Sequence, residues 1–131
     1  MRSVIEGMST SQLASLAIFS TVQTFKQGHP IVARDEEADG FYILLSGHLA
    51  VGVEGRIVAE LNEGDIFGEM GLLEGGNREA DVTVVSVDAE VLFVSNRSFQ
   101  RLLRSVPSFA WGIWETMAGR RESSRRSNPP A

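Results

Sequence analysis

The sequence predicts a mainly β fold, an antiparallel sandwich or jelly roll with helices at both ends. Three observations carry that reading. Between residues 21 and 95 the chain is a succession of short runs rich in Val, Ile, Leu, Phe and Thr. Turn-forming dipeptides built on glycine separate those runs. Outside that span the apolar residues recur at helical spacing. Short strands interrupted at regular intervals by turns are the signature of β-sandwiches and small barrels.

Each element has its own justification. Ser9 or Thr10 caps a short amphipathic helix through Leu13, Leu16 and Ala17, since a side-chain oxygen at that position satisfies a free amide. Strands are expected over Thr21–Lys26, Ile31–Arg34, Phe41–Leu45, Leu49–Val53, Arg56–Leu61, Asp81–Val87 and Glu90–Ser95. The turns between them are Gln27-Gly28-His29-Pro30, Ser46-Gly47, Glu54-Gly55 and Asn62-Glu63-Gly64-Asp65. Asn96 or Ser98 begins a helix with Phe99, Leu102 and Leu103 on one face. Pro107 suits the first turn of a further helix carrying Phe109, Trp111, Ile113, Trp114 and Met117. No internal repeat interrupts the pattern.

Composition bounds the function. A chain of 131 residues, 43% of them hydrophobic, suits one domain with a substantial core. There is no cysteine, which excludes disulfides and thiolate metal sites. No apolar run reaches the roughly 20 residues that cross a bilayer, and the N-terminus lacks signal-peptide regions, so the cytoplasm is the expected compartment. Residues 1–119 hold eight basic and sixteen acidic side chains. An acidic body of this kind argues against nucleic acid as a partner. Residues 120–131 hold four Arg against one Glu. With their serines and prolines they read as a disordered tail appended to a domain spanning residues 1–119. Arg120-Arg121-Glu122-Ser123 and Arg125-Arg126-Ser127 in that tail have the form of sites for basophilic kinases, beside the plainer reading of a solubilising segment.

The segment from Phe67 to Ala80 carries the chemistry. Gly68 and Gly71 permit tight backbone geometry and close ligand approach. A helical turn over residues 69 to 74 would aim free amides at an anion placed before it. Arg78 offers a planar guanidinium to phosphate oxygens, and Glu69 accepts hydrogen bonds from hydroxyls such as those of a ribose. Together these groups describe a site for a small sugar phosphate. A surface ion pair between Glu69 and Arg78 is the simpler alternative.

Phe67-Gly68-Glu69, then Leu72-Leu73, then Arg78 and Ala80, resembles the phosphate-binding cassette of cyclic nucleotide-binding domains. Gly40-Phe41-Tyr42-Ile43-Leu44-Leu45-Ser46-Gly47 resembles the family's strand and turn ahead of it, and Leu61-Asn62-Glu63-Gly64-Asp65 the turn just before. The resemblance covers residues 10 to about 117 and implies a β jelly-roll barrel (a double-stranded β-helix) with a short cassette helix and C-terminal helices. It implies a non-enzymatic sensor whose ligand is a cyclic nucleotide, cAMP first and cGMP second. Residue by residue, it assigns Glu69 to the ribose 2′-hydroxyl, Arg78 to the cyclic phosphate, and Gly68, Met70, Gly71 and Ala80 to the surrounding backbone. Phe67, Leu72 and Leu73 are expected in the core.

Glu79 departs from that pattern, because the family commonly has a small residue there. A carboxylate beside a bound phosphate repels it, unless it turns to solvent, pairs with an arginine or accepts from a purine amino group. The alternative function is therefore a domain of the same fold that has lost nucleotide binding and serves as a protein-interaction module. Trp111 and Trp114 are candidates to cap a base, or to pack their helix against the barrel or a partner chain, in a homodimer or with an effector protein. His29 and His48 belong to no metal-ligand cluster, and Glu36-Glu37 lie in a polar loop, which disfavours a metal-dependent or acid/base jelly-roll enzyme. No appended DNA-binding, kinase or membrane segment is recognisable, so the chain reads as an isolated sensor domain or a piece of a larger protein.

Overall fold

A computed structural model describes residues 9–34, 36, 39–68, 80–108, 110–113 and 115. In order they form α1 (Thr10–Ile18), β1 (Thr21–Lys26), β2 (Pro30–Val32), β3 (Gly40–Ser46), β4 (Leu49–Val53), β5 (Arg56–Leu61), β6 (Ile66–Phe67), β7 (Asp81–Val84), β8 (Asp88–Ser95) and α2 (Asn96–Ser105). Helical residues follow from 107 to 113 and at 115 among those described. The strands make two four-stranded sheets, β1-β8-β3-β6 and β2-β7-β4-β5. Every pairing is antiparallel. This is the expected jelly roll with flanking helices.

The two cores follow from strand periodicity. Successive side chains of a strand point to opposite faces. On β3, Tyr42 and Leu44 enter a cluster between the sheets with Val32, Leu49, Leu61, Phe67, Val82, Val84, Ala89 and Val91. Phe41 and Ile43 point the other way. They join Leu16, Ile66, Val94, Phe99, Leu102, Ala110 and Ile113 in a cluster between the first sheet and the helices. Strand β3 is thus the wall between a barrel core and a helix core. Phe41 meets Phe99 edge to face, with ring centroids 5.6 Å apart, the arrangement that aromatic quadrupoles favour.

Local chemistry fixes the ends of the elements. Ser9 caps α1 in a reciprocal box: its Oγ accepts from the Gln12 amide at 3.2 Å, and Gln12 Oε1 accepts from the Ser9 amide at 2.9 Å. Helix α2 starts at Asn96, and the capping oxygen belongs to Ser95, which accepts from the Ser98 amide at 3.0 Å. Val106 then leaves the helical region (φ −140°, ψ 69°), since the proline that follows disfavours the α conformation there. The chain bends there and resumes as a helix at Pro107. Gly47 turns the chain from β3 to β4 at φ 104°, and a Cβ on it would lie 2.7 Å from the Asp88 carbonyl oxygen. Only glycine fits that corner.

Five strands differ from expectation, the smallest change being β3, which runs Gly40–Ser46 in place of Phe41–Leu45. Strand β6 was absent from the sequence reading. Strand β2 covers Pro30–Val32 in place of Ile31–Arg34, and β7 stops at Val84 in place of Val87. Strand β8 begins at Asp88, because Lys26 of β1 pairs with that residue. The chain must cross from one sheet to the other between β7 and β8. The Val85 and Ser86 amides therefore reach the His48 carbonyl, and the Val87 carbonyl accepts from Gln27. Residues 120–131, the expected tail, and Phe109 and Met117 lie outside the described residues.

Candidate functional site

The structure builds both shoulders of the Phe67–Ala80 segment, and each rests on a different sheet. The approach begins at Asn62. Its amide donates to Asp65 Oδ2 at 2.8 Å, so the carboxylate at the end of the turn closes it back onto its first residue. That turn is clipped to β3 twice. The Gly64 amide donates to the Leu44 carbonyl at 2.7 Å, and the Leu44 amide donates to the Asp65 carbonyl at 2.9 Å. The chain then lies along β3 as β6, with Tyr42 opposite Phe67 and Ile43 opposite Ile66.

These two residues divide between the cores. Phe67 enters the barrel and stacks on Tyr42, with centroids 5.0 Å apart and planes 10° from parallel. Tyr42 contacts Phe93 of β8 on its other side at 4.9 Å. A row of three rings therefore backs the entrance to the segment, and each pair adds about 0.5–1.5 kcal/mol beyond its area burial. Ile66, 2% exposed, enters the helix core instead. The next residue, Gly68, has φ 77°, in the left-handed region that a side chain resists.

The return begins at Ala80, half-buried, and runs straight into β7. Asp81 sits opposite Gly52 of β4, and Val82 lies between Val51 of β4 and Val32 of β2. Asp81 also holds the loop after β2, since its Oδ1 accepts from the Arg34 amide at 2.7 Å. The Arg34 guanidinium reaches the β4–β5 turn and donates to Glu54 Oε1 at 3.2 Å. Glu54 itself sits at φ 53° in that two-residue turn, the left-handed geometry of a type I′ hairpin. The described chain thus leaves the first sheet at Gly68 and rejoins the second at Ala80.

The predicted site residues divide as follows. Gly68 and Ala80 are described, and they form the two ends just set out. Glu69, Met70, Gly71, Arg78 and Glu79 lie outside the described residues, as do Leu72 and Leu73. Phe67 is a core residue, as expected. Of the two tryptophans, Trp111 is described and 56% exposed. It lies on the side of its helix away from Ala110 and Ile113, which fill the helix core. Trp114 lies outside the described residues. His29 is a turn residue, its Nδ1 2.8 Å from the Pro30 carbonyl and its ring 5.2 Å from Phe25. His48 lies between β3 and β4, with Nε2 3.4 Å from Glu60. Asp81, Arg34 and Glu54 were not singled out from the sequence. An aspartate directly after the motif was the one available signal, since the pairing of Arg34 with Glu54 depends on the sheet.

Comparison with known proteins agrees with this architecture. The family described as cyclic nucleotide-binding domain matches residues 22–106. The cGMP-dependent 3′,5′-cGMP phosphodiesterase A of Dictyostelium discoideum is 34% identical over 115 residues, which take in 86% of this chain and 13% of that protein. The cAMP-dependent protein kinase regulatory subunit of Debaryomyces hansenii is 31% identical over 102 residues, 76% of this chain and 22% of that one. Among solved structures, the catabolite activator protein of Thermus thermophilus superposes with a TM-score of 0.80 at 25% identity, covering 94% of this chain and 60% of that chain. The chain spans less than a quarter of the length of these curated relatives. With the motif, the two-sheet barrel and the matched span in agreement, this chain belongs to the cyclic nucleotide-binding domain family.

Proposed function

We propose that this domain is a non-catalytic cytoplasmic sensor of a 3′,5′-cyclic nucleotide, cAMP in preference to cGMP. Arg78 pairs with the cyclic phosphate, Glu69 accepts from the ribose 2′-hydroxyl, and Gly68, Met70, Gly71 and Ala80 supply the surrounding backbone. Relatives named for cAMP and relatives named for cGMP both occur among similar proteins. The observation that carries the reading is the split of β6. Ile66 is packed among Phe99, Leu102, Ala110 and Ile113, and stands two residues before Gly68. A ligand that draws the segment toward itself pulls on a residue embedded among the helices. It shifts the helices only to the extent that it binds one of their arrangements better than the other. A base cap by Trp111 or Trp114, and a homodimer or effector contact through the same helix, belong to this reading as its output end.

Glu79 favours a second reading, an interaction module without a nucleotide, because its carboxylate neighbours the phosphate anchor in the chain. Calorimetric titration with cAMP and with cGMP separates the two. Under the first reading at least one nucleotide binds, and Arg78→Ala weakens it about 10- to 100-fold through loss of a charge-assisted pair. Absence of heat from either nucleotide on folded protein selects the second.

A further inference from the structure

Helix α2 carries its charge in one stripe. Arg97, Arg101 and Arg104 are all exposed, while Phe99 and Leu102 on the opposite face are buried. At 3.6 residues per turn the three arginines fall within a sector of about 60° and span about 10 Å along the axis. The helix contains no acidic residue. These three are a large share of the eight basic side chains in residues 1–119, against sixteen acidic ones. Among the described residues, none of the three makes an ion pair.

Helix stability does not account for this arrangement. Arg97 occupies the first turn, where the helix dipole disfavours a cation. Arg97 and Arg101 are four apart, and Arg101 and Arg104 three apart, so the charges repel at both steps. Only Arg104, in the last turn, is favourably placed. A stripe that opposes its own helix, and that no carboxylate pairs with among the described residues, presents a cationic face to a partner.

We propose that the arginine stripe of α2 is a docking surface for an acidic helical segment of a protein. Carboxylates spaced at i, i+4 and i+7 on such a helix match the arginine spacing rise for rise. The occupant is a short protein segment because residues 1–119 as a whole carry sixteen acidic side chains against eight basic ones. An extended polyanion such as nucleic acid, or an anionic membrane plane, meets that net negative charge as well as the stripe. Phe99 and Leu102 hold this helix against Phe41, Ile43 and Ile66, so a segment docked on the stripe sits on the element that shares a core with β6. Docking itself is independent of nucleotide binding.

The test uses a fluorescein-labelled alanine-based peptide with glutamates at i, i+4 and i+7, titrated with the intact chain and followed by anisotropy. The expected result is saturable binding that weakens as salt shortens the reach of exposed charges. A scrambled peptide with the same glutamate count binds more weakly. The triple variant Arg97→Gln, Arg101→Gln, Arg104→Gln weakens binding by about tenfold, and Arg101→Gln alone by a smaller factor. Lys26→Gln, a distant exposed control, leaves it unchanged. Because glutamine preserves helix propensity and the repulsion is gone, the triple variant melts at the wild-type temperature or above. A lower melting temperature shows instead that the stripe serves the fold, and overturns the proposal. Equal binding of both peptides, unchanged binding by the triple variant, or tighter binding to a short DNA duplex or to phosphatidylserine vesicles overturns it as well.

Discussion

Replacing Ile66 with alanine tests the split of β6 directly. The side chain is 2% exposed and sits in the helix core with Phe41, Ile43, Phe99 and Leu102. The change removes three carbons. At about 0.8 kcal/mol each, transfer alone gives ~2.4 kcal/mol. The space left behind is bounded by a sheet on one side and helices on the other, which collapse only in part, so the total moves toward the middle of the 2–5 kcal/mol range for such truncations. A loss of about 3 kcal/mol lowers the melting temperature by roughly 10 °C for a domain of this size. Against a typical total stability of about 5–15 kcal/mol, the variant remains folded and measurable. Urea denaturation followed by far-ultraviolet circular dichroism gives the equilibrium value. A loss below about 1 kcal/mol refutes the packing of Ile66 between β6 and the helices. It removes with it the proposed mechanical link between the segment and those helices.

Two further outcomes follow from named positions. Gly47→Ala combines a φ of 104° with a Cβ 2.7 Å from the Asp88 carbonyl oxygen and 2.9 Å from the Ala89 Cα. All are fixed parts of β8, and thermal denaturation should show a loss of at least about 2 kcal/mol. Glu79→Ala removes a like charge next to the phosphate anchor in the chain, and calorimetry should show cyclic nucleotide binding tighter by about tenfold. Unchanged affinity means that the carboxylate does not face the phosphate.

Much of the fold was legible because strands and turns write local rules into the chain. The bounds of β1, β4 and β5 are those read from the sequence, since each is a β-type run closed by turn residues. What escaped depends on distant partners. Strand β6 is two residues long and has no periodicity of its own. It is a strand because Tyr42 and Ile43 offer it an edge. Val85 and Val87 have strand composition yet leave the sheet, because the chain changes layers between them. At the site, Gly68 and Ala80 announced themselves through a motif. The grip of Asp81 on Arg34 spans 47 residues of chain, and no local pattern encodes it.

The alternation on β3 has a consequence for how faithfully this chain must fold. Phe41 and Ile43 belong to one core, Tyr42 and Leu44 to the other. Sliding the strand by a single residue exchanges the two sets. In a sheet with one wet face, such a slip exposes an apolar row and spares the other side. Here both destinations are already full, and rings sized for the barrel would be forced against the helices while Phe41 is driven between the sheets. Misregistered copies are penalised twice, so the strand acts as its own proofreader. Deletion of one residue between Gly40 and Leu44 should accordingly abolish folding, whereas an extra residue in the exposed turn at Glu54-Gly55 shifts neither core.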